Sequence, residues 1–203
     1  TFLHEEYIDL FAKGLNQWQA ESDTSHVRLP EFEDEITPPV TEAIQCFDEL
    51  INLNADIVSE NILIENCAKA IQNIPFEYIL VLMGQRFTLA SVKDITALPP
   101  LKATLLKSSF TMYNEQICIA TRAWEKHIGR SDDQFWGEMK GNTKEKDEKV
   151  RRLMHQMIDQ KTWWNVFFHY KHELVYEIRV ESGHGVRWNN AGTQLIGFLE
   201  PFL

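Results

Sequence analysis

The run His172-Glu173-Leu174-Val175-Tyr176-Glu177-Ile178-Arg179-Val180-Glu181 decides the fold class. His172, Leu174, Tyr176, Ile178 and Val180 fall on one side of a period-two pattern and Glu173, Glu177, Arg179 and Glu181 on the other, which predicts a half-buried strand. The glycines of Ser182–Gly185 supply a tight turn, Val186–Trp188 reads as a short strand, and Asn189-Asn190-Ala191-Gly192 is a second turn before Thr193–Leu199. Upstream, Trp164, Val166, Phe168 and Tyr170 alternate in the same way and offer a fourth strand. A meander of three or four strands is marginal alone and must lie on helices.

The helices precede it. Ile8, Phe11, Leu15 and Trp18 recur at helical spacing behind Glu5 and Glu6, whose charges suit the first turn. Glu21–Pro39, with the acidic run Glu31–Glu35, reads as a surface loop, and Phe32 within it can anchor a basic partner. Helical period resumes from Val40 through Ile71 and stops at Pro75, while Tyr78–Met83 fits either a buried strand or a buried helical turn. Leu106, Phe110, Tyr113, Ile117, Ala120, Trp124 and Ile128 predict one long central helix ending at Gly129. Ser131–Gln134 is a capping-box pattern that starts a short helix, and Asn142 caps another with Val150, Leu153, Met154, Met157 and Ile158 inside. Helices first and a sheet last give an α+β fold, expected as a single domain over 1–203 with a mainly helical part at 1–98.

Composition narrows the class. The 44% hydrophobic content fills a core, and the longest apolar run, Tyr78–Met83, falls far short of the roughly 20 residues of a membrane span. Cys46, Cys67 and Cys118 are odd in number and far apart, which predicts reduced packing cysteines. With no Asn-x-Ser/Thr acceptor and no leader-like end, a cytoplasmic or nuclear protein is expected. A net charge of −10 disfavours broad nucleic-acid binding unless basic groups gather on one face. Phosphate-loop, dinucleotide, nucleophile-elbow and His-Glu-x-x-His motifs are all missing.

The chemistry concentrates near the C-terminus. In Gly183-His184-Gly185-Val186-Arg187-Trp188, glycines free backbone amides for an anion, His184 can shuttle a proton, Arg187 can clamp a phosphate and Trp188 can stack on a base. The alternative is a plain hairpin with Arg187 paired to Glu177 or Glu181. Glu177 and Arg179 lie on the polar side of the strand, as an active-site floor or a solvated face. His169 and His172, three apart on a strand, face opposite sides and make poor co-ligands, so no metal is assigned. The candidate catalytic residues are therefore His184, Arg187 and Glu177, with Gly183, Gly185, Trp188, Arg179 and His172 as ligand contacts and no cofactor.

Phe135-Trp136-Gly137, Val175–Val180, Gly183–Trp188 and Gly197-Phe198-Leu199-Glu200-Pro201 resemble, over about the last 80 residues, an uncharacterised eukaryotic family that includes plant members. The resemblance implies a eukaryotic source and no particular activity. Two functions are expected. The first is a binding or adaptor protein, a subunit of a larger assembly with a protein partner. The second is an enzyme or sensor of a phosphorylated or nucleotide-like small molecule.

Overall fold

The computed structural model describes residues 4–20, 28–39, 41, 44–45, 72–131 and 133–202. Among them are five α-helices and a four-stranded antiparallel sheet at the C-terminal end, the expected α+β arrangement. The helices are α1 Glu5–Ala20, α2 Phe76–Leu82, α3 Lys102–Phe110, α4 Ile119–Ile128 and α5 Thr143–Asp159. The strands are β1 Trp163–His169, β2 Glu173–Arg179, β3 Gly185–Asn189 and β4 Leu195–Leu199, in spatial order β1-β2-β3-β4. Most of the helical pattern expected from Val40 to Ile71, with Cys46 and Cys67, lies outside the described residues. No helix among the described residues is long and apolar enough to cross a membrane.

Register separates the two faces of the sheet. Trp164, Val166, Tyr176, Ile178, Val186, Trp188 and Phe198 share one parity and pack with Leu80, Leu105, Trp124 and Met154 in the core. Asn165, Phe167, His169, Val175, Glu177, Arg179, Arg187 and Gly197 share the other. That second face is not the simple solvated surface its polarity implies, since Glu177 is 1% exposed and Arg179 4%.

The single long helix is corrected to α3 and α4, separated by a turn. Seven residues part Phe110 from Ile117, about two helical turns, so the apolar stripe keeps its phase across the break. What ends the helix is local competition for backbone hydrogens. Asn114 Oδ1 accepts from the amides of Gln116 and Ile117 at 2.9 and 3.0 Å, and Ile119 N donates to Thr111 O at 2.8 Å. The ambiguous Tyr78–Met83 run belongs to α2. The helix expected after Ser131 is only a one-turn 3-10 segment, Gln134–Trp136, capped by Asp133, whose carboxylate accepts from Phe135 N. In α1 the inward set includes Tyr7, Leu10, Phe11 and Leu15, whereas Ile8 is exposed. This helix presses its backbone onto α2: a Cβ built on Gly14 would lie 1.6 Å from Leu82 O.

Asp147 ties α4 to α5. Its Oδ1 accepts from Cys118 N at 3.0 Å and Thr121 Oγ1 at 2.6 Å, and its Oδ2 from Arg151 Nε at 2.7 Å. Burial alone raises the Asp147 carboxyl, but the hydrogen bonds from Thr121, Cys118 and Arg151 outweigh it and hold the group well below the usual carboxylate range. A carboxyl depressed in the folded state contributes stability that is present above the unfolded value, near pH 4, and is lost as pH falls towards the folded value. Asp147→Asn is expected to cost roughly 2–3 kcal/mol at pH 7 in urea melts, with the difference from wild type shrinking below about pH 4. A difference constant from pH 7 to 3 would show that the charge is not what holds these helices together.

Candidate active site on the polar face of the sheet

Pairing brings Asn165 of β1, Glu177 of β2, Arg187 of β3 and Gly197 of β4 into one row. Glu177 is its centre. Its Oε1 accepts from Arg179 Nε at 2.6 Å, and its Oε2 from Arg187 Nε at 2.7 Å and Nη2 at 2.5 Å. Arg179 spends Nη1 on Gly183 O at 2.5 Å and Glu200 O at 2.8 Å, and its guanidinium lies 3.7 Å from the centre of the Phe202 ring. Phe32, Trp163 and Phe202 form an aromatic group over that end of the face. Two arginines against one carboxylate leave a net positive charge. Arg187 is partly exposed, and its Nη1 has no hydrogen-bond partner among the described residues. Beside it on β4, a Cβ on Gly197 would meet nothing within 4 Å, so the row opens here.

At the other end of β1 stands His169, on the same parity as Asn165. The short Tyr170–His172 connection folds back and puts His172 against it, with ring centroids 5.2 Å apart and planes inclined by 22°. The expectation that these two rings face opposite sides fails because the strand ends at His169 and His172 belongs to the turn. Lys171 N donates to His169 Nδ1 at 3.2 Å, which places the hydrogen of the neutral ring on Nε2. Burial, then the neighbouring Arg187 and His172, hold His169 below the usual imidazole value, against the opposing pull of Glu177. Tyr170, 84% exposed, packs against His169 with ring centroids 4.7 Å apart and planes inclined by 33°. Asn165 is buried between Gln85 Nε2 and Ser91 Oγ, at 2.9 and 2.7 Å, and fastens β1 to the loop after α2.

The His184–Arg187 partnership expected from the turn is not formed. His184 lies on the helix side of the sheet, stacked on Phe135 at 3.8 Å and 4°, while Arg187 and Glu177 lie on the opposite face. Its Nδ1 meets Ser182 Oγ at 2.8 Å and its Nε2 meets Asp133 Oδ2 at 2.9 Å. Nor do the glycines form an anion cradle. Gly183, at φ +86°, closes the turn by donating to Val180 O, and a Cβ on Gly185 would lie 2.6 Å from Ile178 O. Trp188 is fully buried and donates to Ser109 Oγ at 3.0 Å, so it offers no stacking platform. Of the expected set, Glu177, Arg179, Arg187 and His172 remain with the sheet face. The residues not anticipated there are His169, Asn165 and Tyr170. The parity of 165, 167 and 169 against 175, 177 and 179 carried the signal for the first two. A separate cleft of about 250 Å³, lined by Tyr7, Lys13, Lys102 and Lys161 among others, includes none of the anticipated residues.

Residues 106–200 match the family model of the CdiA C-terminal tRNase toxin domain. This segment, a little under half of the chain, contains α4, α5, the whole sheet and every residue of the sheet-face constellation. No curated protein and no solved structure matches the chain. The match overturns the expected relation to an uncharacterised eukaryotic family. It also replaces the expected adaptor, and the sensor of a phosphorylated or nucleotide-like small molecule, since that family is named for cutting tRNA. The argument against nucleic acid falls with them. The charge of −10 is a sum over the chain, whereas the face carries Arg179 and Arg187 around one carboxylate.

Glu177→Gln is expected to cost about 3–5 kcal/mol in denaturant melts, because it removes the only carboxylate that Arg179 and Arg187 share among the described residues. A variant as stable as wild type would mean that both guanidinium groups are hydrated and that the buried triad is not formed in solution.

Proposed function

We propose that this protein is a ribonuclease that cleaves tRNA on the polar face of its C-terminal sheet. The carrying observation is that the stretch similar to a tRNase toxin domain, 106–200, is the one that gathers His169, His172, Glu177, Arg179 and Arg187. The chemistry suits RNA because the substrate brings its own nucleophile, a ribose 2′-hydroxyl, and needs from the protein a base, an anion clamp and a donor.

Arg187 takes a phosphate oxygen with its uncommitted Nη1, while Glu177 fixes the guanidinium and Arg179 adds its charge from behind. His169, held neutral, presents Nε2–H to a second phosphate oxygen. His172 removes the 2′-hydroxyl proton as the 2′-oxygen bonds to phosphorus. The bond from phosphorus to the 5′-oxygen breaks, leaving a 2′,3′-cyclic phosphate, and solvent supplies the proton to the departing 5′-oxygen and accepts the one on His172. Tyr170 offers a flat, exposed ring on which an adjacent base stacks, as sequence-tolerant single-strand binders use aromatics. A tRNA substrate places the site of action in a cytoplasm.

The test is incubation of the purified chain with a mixed tRNA pool, read on denaturing gels with analysis of fragment ends. Wild type is expected to yield fragments with 2′,3′-cyclic phosphate and 5′-hydroxyl ends. His172→Ala and Arg187→Ala are expected to slow cleavage by about 10²-fold or more with their folds retained by circular dichroism. Intact tRNA with wild type, or unchanged rates in both variants, would reject the assignment.

A further inference from the structure

We propose that Asp133, His184 and Glu200 bind a divalent transition metal, with zinc the best fit, as a structural clasp on the helix side of the sheet. Their ligand atoms lie within 4.8 Å of one another. They come from three separate places: the loop before the 3-10 turn, the β2–β3 turn and the residue after β4. An ion bound here would join segments that the chain itself connects only at a distance.

The imidazole is positioned as a ligand. With Nδ1 against Ser182 Oγ, Nε2 is the nitrogen that meets the carboxylates, 2.9 Å from Asp133 Oδ2 and 3.7 Å from Glu200 Oε2. The ring cannot swing, being 5% exposed and clamped between the Phe135 face and the Trp136 edge. Glu200 is divided in the same manner. Its Oε1 receives Trp136 Nε1 at 3.1 Å and meets His127 Nε2 at 2.8 Å, Ser131 also hydrogen-bonds the carboxylate, and Oε2 is the oxygen nearer His184. Such outer contacts orient ligands and set their basicity.

Bond lengths decide whether an ion fits. Zinc takes nitrogen and oxygen at about 2.0–2.2 Å, so two ligand atoms of a tetrahedral site sit about 3.3–3.6 Å apart. The His184–Glu200 separation is already close to that range. The Asp133 oxygen must retreat from the His184 ring by about half an ångström, which its exposed side chain allows, and it lies within 4.8 Å of the Glu200 ligand oxygen. One imidazole and two carboxylates suit zinc better than magnesium, which prefers an all-oxygen shell, and solvent at the Asp133 side completes the fourth position. The site is independent of the RNA-cleaving face, so neither assignment depends on the other.

The test uses the whole chain, stripped with EDTA, dialysed and titrated with zinc chloride by calorimetry and thermal melting. One zinc per chain is expected, with a Tm that climbs as free zinc rises and does not respond to magnesium. Asp133→Ala, at an exposed position, and His184→Gln, each with its fold checked by circular dichroism, are expected to weaken zinc binding by on the order of tenfold or more. His172→Gln, which disrupts the His169–His172 pair on the other side of the sheet, is expected to keep the one-zinc isotherm. Absence of heat and of a Tm shift in wild type, zinc affinity unchanged in Asp133→Ala, or binding lost in His172→Gln instead would each overturn the proposal.

Discussion

A carboxylate buried to 1% exposure has to be compensated, and much of the C-terminal half is organised around doing so for Glu177. One guanidinium reaches it from two residues along the same strand and the other from directly across the ladder. Burying Arg179 in turn creates donors that need acceptors, and these are main-chain oxygens of the β2–β3 turn and of Glu200. A single ionised group thus fixes the turn, the exit from β4 and the position of Phe202 above it. Arg187, at the open end of the same triad, keeps donors in hand for a ligand.

The sheet was legible because period two survives intact through β2 and the glycines mark where it turns. Part of the candidate site was legible for the same reason. Glu177, Arg179 and Arg187 could be assigned to a polar side from alternation alone, and His172 was singled out from its pair with His169. What alternation cannot say is how far a strand runs. His184 was grouped with Arg187 because they are three residues apart in the chain, yet that odd spacing puts them on opposite sides of β3. The central helix failed for a related reason, since a seven-residue interval preserves helical phase whether or not the intervening backbone is helical. The only warning was Asn114, a residue whose side chain competes for backbone amides.

Net charge misled more than any motif. The acidic residues that dominate the total include Glu31, Glu33, Asp34 and Glu35, in a loop, and Glu5, Glu6 and Asp9 on α1. None of these belongs to the row formed by Asn165, Glu177 and Arg187. At physiological salt, fields from exposed charges fade over about 8 Å, so a phosphate approaching Arg187 feels mainly its immediate neighbours.

Arg86 has a different consequence. It is 3% exposed, and its guanidinium donates to the carbonyl oxygens of Arg28, Leu29 and Pro30 and to both carboxylate oxygens of Glu35. Three of these acceptors belong to the main chain, which every amino acid supplies alike. The path of this loop is therefore sensitive to length, because one inserted residue would carry the oxygens out of reach. In a population of diverging sequences, insertions and deletions here should be purged, and Arg86 and Glu35 should change only together.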